Sequence, residues 1–144
     1  MAEVTEFWQE VLTVYRTTVK KLKARLAKEG ITFLQYSVLL VLARNGPMQM
    51  NRFGEYMLVV SSDVAGLVDR MEKKDYVRGR WGTDDRRLYV VEPTELGSSI
   101  YRRIFGRFQA YVRRIGNSLS PAELDATVAS LEKVLKTVER VPEI

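Results

Sequence analysis

The stretch "SSDVAGLVDRMEKKDYVRGRWGTDDRRLYVVE", residues 61–92, changes its hydrophobic period halfway and so decides the fold. Its first half has apolar residues at i, i+3, i+4 and i+7, which is the spacing of one buried stripe on a helix. These residues are Val64, Leu67, Val68 and Met71. Ser61 or Ser62 is a natural N-cap, with Asp63 in the positive first turn. The pattern predicts a helix that ends near Asp75.

The second half of the stretch suits strands instead. "YVRGRW" (76–81) and "RLYVVE" (87–92) are rich in β-branched and aromatic residues, and "GTDD" (82–85) between them has turn chemistry. We therefore predict a β-hairpin with a polar tip. Asp84, Asp85, Arg86 and Arg87 lie at this tip.

Helical periodicity dominates the residues before this stretch. It predicts a first helix over about residues 5–28, ended by Gly30 as a C-terminal cap. Thr32 and Gln35 form a capping box that begins a second helix, which runs to about Arg44. A short third helix is expected over about residues 50–57, followed by a tight connection at 58–61.

Two further helices are predicted after the hairpin. Thr94 caps a long helix, and Ser120 and Glu123 form a second capping box with proline between them. The apolar residues of the last helix alternate steps of four and three, which suits packing against another helix. They are Leu124, Val128, Leu131, Leu135 and Val138.

Composition excludes several functions. The 144 residues fit one domain, and they include no cysteine and no histidine. Disulfides, zinc–thiolate sites and thiol redox sensing are therefore excluded, and the commonest general base is missing. The chain shows no nucleophile–base pair and no phosphate-binding loop, so we expect no enzyme, no metal site and no cofactor. We see neither a membrane span nor a signal peptide, and expect a cytoplasmic protein with no membrane partner.

Positive charge is concentrated in two regions. The net charge is +5 with a pI of about 9.6. Residues 70–87 carry a local +3 and residues 98–117 a local +5, whereas residues 118–144 carry −2. Such a balance favours a polyanionic partner, although many basic proteins bind none.

The order of these elements describes a winged helix-turn-helix, a mainly α fold with a small β-hairpin wing (α+β). In such a fold a helix enters the major groove, and the hairpin reaches a neighbouring minor groove, whose negative potential attracts guanidinium groups. Arg86 and Arg87 would supply charge at the tip. The aspartates would shape the turn and orient a guanidinium.

The segment "VVSSDVAGLVDRMEKKDYVRGRWGTDDRRLYVVEPTELG" resembles the core of the MarR family of transcriptional regulators. The family signature has a "LVDRLEKKGLVER"-like segment, a wing with Asp-x-Arg, and "LTEKG". Here these parts are residues 67–78, 85–87 and 93–97. The resemblance implies a homodimer that binds a pseudo-palindromic operator in double-stranded DNA, with Arg87 as the wing arginine and Asp85 as its partner.

The resemblance also implies an organisation for the whole chain. Residues 1–144 would form one MarR-type domain, with dimerisation helices at about 1–30 and 98–144 and the winged helix-turn-helix at about 31–97. The predicted DNA-binding residues are Ser61, Ser62, Asp63, Gly66, Arg70, Lys73, Asp85, Arg86 and Arg87.

Family members often carry a ligand cavity between the dimer stem and the winged domain, with an aromatic anion as a common effector. Arg16 could supply a cation in such a cavity, and Tyr15, Phe33 and Phe108 its aromatic walls. The alternative is that these aromatic residues pack in the core or the dimer interface and that Arg16 is solvated.

The sequence departs from the family at Ala65 and Gly66, where many members have polar residues. The departure removes two possible base contacts, and Asp63 and Asp69 add acid to the same helix. We expect a sequence-specific repressor. The alternative is a non-specific DNA-architectural or protein-interaction module on the same fold.

Overall fold

The computed structural model describes residues 1–57 and 61–143. This part of the chain contains, in order, α1 (Val4–Lys28), α2 (Phe33–Asn45), β1 (Met48–Gln49), a 3₁₀ helix (Met50–Glu55), α3 (Val64–Lys73), β2 (Val77–Trp81), β3 (Tyr89–Pro93), α4 (Glu95–Gly116) and α5 (Pro121–Arg140). The chain forms two compact units, Met1–Phe105 and Gly106–Ile144, and α4 contributes to both. The mainly α class with a small antiparallel sheet is confirmed.

The predicted helix boundaries in the N-terminal part are confirmed. Gly30 follows α1 with a φ of 71°, a left-handed conformation that glycine adopts without steric cost. The N–H groups of Gly30 and Ile31 donate to carbonyl oxygens in the last turn of α1, as in a Schellman motif, and both hydrogen bonds are 3.2 Å long. Thr32 and Gln35 form the expected capping box, with hydrogen bonds of 3.1 and 3.0 Å.

The hairpin is confirmed, and it is part of a three-stranded antiparallel sheet in the order β1-β3-β2. Trp81 pairs with Tyr89 near the tip, and Val77 pairs with Pro93 at the base. The strand β1 was not predicted. Its buried Met48 pairs with Val91, which is also buried.

The predicted third helix is wrong in type. Residues 50–55 form a 3₁₀ helix rather than an α-helix over 50–57. Its N-cap, Gln49, makes no capping hydrogen bond with its side chain, Gly54 weakens helix propensity, and Phe53 is its one buried residue. One apolar anchor is too little to stabilise two full α-helical turns. The connection predicted at residues 58–61 lies largely outside the described residues.

The core of the first unit lies where α2 meets the 3₁₀ helix, α3, the sheet and the start of α4. Almost all of α2 is buried, because neighbours pack on several of its faces. The largest fully buried apolar side chains are Leu26, Val38, Leu39, Leu42, Phe53, Val68, Met71, Val77, Val91 and Ile104.

An ion-pair cluster joins the end of α1 to α4. Glu29 accepts hydrogen bonds from Arg25 at 2.9 Å and from Arg103 at 2.7 Å. The hydrogen bond from Arg103 is the main cause that lowers the pKa of Glu29 below its ordinary value of 4.5.

Thr94 fixes the junction of α3, β3 and α4. Its buried hydroxyl accepts the N–H of Gly97 at 3.0 Å, which is the predicted N-cap of α4, and it donates to the carbonyl of Asp75. A Cβ on Gly97 would collide with the carbonyl oxygen of Tyr76, so glycine permits this close approach.

In the second unit, α5 begins at the predicted capping box of Ser120 and Glu123, with two hydrogen bonds of 3.1 Å. None of its residues is buried. The apolar stripe predicted for dimerisation is 43–58% exposed in the single chain. The assignment of helices to dimerisation stays a prediction.

Among residues 1–57 and 61–143, no single helix is long and apolar enough to cross a membrane. Only α1 and α2 taken together, with a bend of 95° between them, reach the necessary length and composition.

Candidate nucleic-acid interface

The N-cap of the predicted recognition helix α3 is Asp63, not Ser61 or Ser62. The carboxylate Oδ1 of Asp63 accepts the N–H of Gly66 at 3.0 Å. The Ser61 hydroxyl oxygen lies 3.4 Å from the N–H of Asp63, at the outer limit of a hydrogen bond. Asp63 is the better cap because a carboxylate also benefits from the positive end of the helix.

Gly66 leaves room for the Asp63 carboxylate in this conformation of the cap. A Cβ at residue 66 would overlap the carboxylate of Asp63. Gly66 is one of the two residues at which the chain departs from the family pattern. Its lack of a side chain leaves room for the Asp63 carboxylate. The cost of glycine in a helix, up to about 1 kcal/mol, is offset by a cap of similar worth.

The exposed face of α3 carries two acids and two bases that pair with each other. Arg70 lies 3.5 Å from Asp63, and Lys73 lies 3.0 Å from Asp69. All four side chains are exposed. Such pairs contribute little stability, so a phosphate can replace either acid at small cost.

The wing tip is organised by Asp85. Its Oδ1 accepts the backbone N–H of Arg87 at 3.0 Å and its Nε–H at 3.1 Å, and its Oδ2 accepts from an Nη at 3.2 Å. These hydrogen bonds lower the pKa of the Asp85 carboxyl. The turn is closed by Gly82, which donates to the carbonyl of Leu88 at 2.7 Å. The arginine side chain is 91% exposed, so its guanidinium is oriented but remains accessible.

A tyrosine ties the wing to α3. The hydroxyl of Tyr89 on β3 donates to Glu72 on α3, and its ring lies across Gly79 on β2, where a Cβ would collide with it. The hydrogen bond to the Glu72 carboxylate, with burial, raises the pKa of Tyr89 to about 12. The Trp81 ring lies against the same ring, with 5.0 Å between centroids and a tilt of 53° between the ring planes. The hydrogen bond between Tyr89 and Glu72 therefore fixes the direction of the wing relative to α3.

The structure brings the predicted DNA-binding residues together in two groups. Ser61, Asp63, Gly66 and Arg70 interact around the N-terminus of α3, and Lys73 lies further along that helix. Asp85 and Arg87 pair at the tip, where Arg86 is also exposed. Ser62 is exposed beside the N-cap. Lys73 pairs with Asp69 on its own helix, and Arg87 pairs with Asp85 at the tip.

A third charged group, on the strands of the wing, was not predicted from the sequence. Arg78 and Arg80 on β2 both pair with Glu92 on β3, at 2.9 and 3.3 Å. The alternation of β2 contains the signal, since Val77 is buried and residues 78 and 80 both face away from it.

Three of the four predicted effector residues line one groove. Tyr15, Arg16 and Phe33 border a volume of about 980 Å³ between α1 and the start of α2. Lys20 and Lys23 line it too, and the Lys23 ammonium lies 5.7 Å from the centre of the Phe33 ring. Phe108 lies on α4 in the second unit, so its place in an effector site stays a prediction.

No group of three or more acidic residues among the described residues is arranged to hold a metal ion.

Known proteins resemble this chain across most of its length. A family model described as the MarR family matches residues 29–88. The HTH-type regulator YfiV of Bacillus subtilis, itself uncharacterised, is 27% identical over 96% of this chain and 86% of its own. The solved structure of AbsC, a MarR family transcriptional regulator from Streptomyces coelicolor, has a TM-score of 0.79 at 25% identity, covering 96% of this chain and 97% of its own.

A further solved structure is that of BpsR of Bordetella bronchiseptica, whose DNA binding is regulated by 6-hydroxynicotinic acid. It has a TM-score of 0.75 at 19% identity, covers 93% of this chain and 96% of its own, and so shares the fold. Together with the helix–wing geometry described above, these matches identify the fold as a winged helix-turn-helix. Residues 29–88 thus match the MarR family, and the chain resembles transcriptional regulators across most of its length.

Proposed function

We propose that this protein is a sequence-specific repressor that binds a pseudo-palindromic operator in double-stranded DNA as a homodimer. The observation that carries the proposal is the bidentate Asp85–Arg87 pair at an exposed wing tip fixed to α3. An oriented guanidinium suits the narrow, electronegative minor groove. At the same time the neighbouring major groove is within reach of Ser62, which precedes the N-cap of α3, and of Arg70 and Lys73 on α3 itself.

The surface of α5 supports the homodimer. A helix with five apolar residues in one stripe and no buried residue needs a partner surface to remove that stripe from water. A second copy is the occupant that a two-fold symmetric operator requires, because its two half-sites lie about 34 Å apart in successive major grooves.

A small aromatic anion is the proposed effector. Arg16, Lys20 and Lys23 supply positive charge to the groove between α1 and α2, and Tyr15 and Phe33 supply aromatic surface. The regulation of BpsR by 6-hydroxynicotinic acid supports this chemistry by analogy. Such a ligand releases DNA only to the extent that it prefers a dimer whose recognition helices are misaligned.

The test begins with DNA selected by the purified protein from a random pool. Arg87→Ala should weaken binding to the selected operator by at least about tenfold, because a charged hydrogen bond contributes roughly 1.5–3 kcal/mol. Arg140→Ala on α5 is the matched control and should change it less than twofold. Unchanged operator affinity in folded Arg87→Ala protein would remove the wing from the proposal.

A second candidate function is a non-specific DNA-architectural or protein-interaction module. The acid–base pairing along α3 favours it, because Asp63 and Asp69 already neutralise the two cations of that helix. The ratio of operator to random-DNA affinity at fixed salt separates the two functions. A ratio above about 10³ supports the repressor, and a ratio near one supports the module.

A further inference from the structure

The outer face of the wing carries two arginines that share one carboxylate. Arg78 donates its Nε–H to Oε1 of Glu92 at 2.9 Å, and Arg80 donates an Nη–H to Oε2 at 3.3 Å. The arginine side chains are 68% and 70% exposed, whereas that of Glu92 is 20% exposed. The acid therefore lies beneath the two guanidinium groups, and the cluster keeps a net charge of +1.

The alternation of the strands separates this face from the recognition helix. Tyr89 projects from the sheet towards Glu72 on α3, and Val77 and Val91 lie on that same buried side. Arg78 and Glu92 form a cross-strand pair that points the other way. This face of the wing is therefore turned away from α3 and is not covered by it.

The chemistry of the cluster fits phosphate. A guanidinium has five N–H donors, and each of these arginines uses one of them in its hydrogen bond to Glu92, so further donors remain for a ligand. Residues i and i+2 of a strand are about 7 Å apart on one face. Two planar cations side by side on one strand, held by an acid below them, suit neighbouring phosphates of one DNA strand.

We propose that Arg78 and Arg80 bind backbone phosphates of the DNA that flanks the operator, beyond the base pairs contacted by α3 and the wing tip. Glu92 is a positioning residue that directs both guanidinium groups outward. The inference rests on the proposed function, because it needs α3 and the wing tip to be seated on DNA. It adds a contact that carries no sequence information but lengthens the footprint.

The experiment compares two duplexes that carry the same selected operator. One ends at the outer edge of each half-site, and the other extends about 10 base pairs further on each side. The test variant is Arg78→Gln/Arg80→Gln. The control variant, Arg102→Gln/Arg140→Gln, removes the same charge from α4 and α5, so a general loss of attraction to DNA is seen in both.

The test variant should bind the extended duplex at least about tenfold more weakly than wild type and the short duplex within about twofold. For four lost contacts per dimer, the slope of log affinity against log salt on the extended duplex should become shallower by about 3.6. The control variant should lose equally on both duplexes.

Three results would contradict the inference. Equal losses by the test variant on both duplexes would place the arginines inside the half-site or make their effect general, and no loss on the extended duplex would remove the contact. In both cases wild-type binding to the short duplex leaves the proposed function intact. Wild-type protein that prefers neither duplex over random DNA would overturn the proposed function, and this inference with it.

Discussion

The substitution Gly66→Ala tests whether the glycine of the recognition helix exists to accommodate the Asp63 cap. Alanine in a helix interior is ordinarily more stable than glycine by about 1 kcal/mol. Here the new Cβ would overlap the Asp63 carboxylate, so the cap must move. Loss of such a cap costs roughly 0.5–2 kcal/mol. We therefore expect Gly66→Ala to change the free energy of unfolding by between about +0.5 and −1 kcal/mol, less than the full stabilisation of about 1 kcal/mol that alanine ordinarily brings.

A double-mutant cycle isolates the cause. In an Asp63→Ala background no carboxylate opposes the Cβ, so Gly66→Ala should there stabilise the protein by about 1 kcal/mol. The coupling between residues 63 and 66 is then about 0.5–2 kcal/mol. Gly106→Ala in α4 is the matched control, because nothing lies within 4 Å of its added Cβ, and it should stabilise in either background.

Urea denaturation at one fixed protein concentration provides the four free energies, because the stability of the proposed dimer depends on concentration. If Gly66→Ala stabilises the wild type by as much as it stabilises Asp63→Ala, the coupling is zero. Gly66 would then leave no room that the cap needs, and its presence in α3 would require another cause.

Four further outcomes are expected. Thr94→Val should lower the free energy of unfolding by about 2–3 kcal/mol, since it removes the N-cap of α4 and leaves a carbonyl without its donor, whereas Thr94→Ser should change it little. The pKa of Glu29 is lowered in the folded protein, so its ion pairs stabilise the fold above the ordinary pKa of 4.5. This stabilisation is lost as the pH falls through the lower folded pKa. Wild type should therefore lose more stability than Glu29→Gln between about pH 6 and 3. Leu131→Lys should dissociate the proposed dimer in sedimentation experiments at micromolar concentration, whereas Ala129→Lys, which lies off the apolar stripe, should not. Salicylate-like anions titrated at constant ionic strength should release DNA from wild type at lower concentration than from Arg16→Ala, and equal release would show that Arg16 is not the anchor.

Features encoded by neighbouring residues were predictable from the sequence. The capping boxes that begin at Thr32 and Ser120 depend on side chains three residues apart, and both form as predicted. The hairpin tip was similarly predictable. The N-cap of α3 was not, because Ser61, Ser62 and Asp63 are all competent caps, and the choice depends on the backbone conformation and on the space left by Gly66.

Features that depend on distant parts of the chain were missed. The strand β1 has two residues and exists because Met48 pairs with Val91, far away in sequence. The charged face of the wing could have been found, since Arg78 and Arg80 alternate with buried or packed positions. Their shared partner, Glu92, could be assigned only once the register of β2 and β3 was known.

Charge pairing on the candidate interface bears on how the protein could discriminate between DNA sequences. Arg70, Lys73 and Arg87 each have a carboxylate partner. These exposed pairs are weak, so exchanging a carboxylate for a phosphate costs little energy, but the displaced acid stays near the DNA and repels it. On random DNA, only phosphate contacts are available to offset that repulsion. An operator that also offers base contacts to α3 can offset it, so the acids should lower affinity for random DNA more than affinity for the operator.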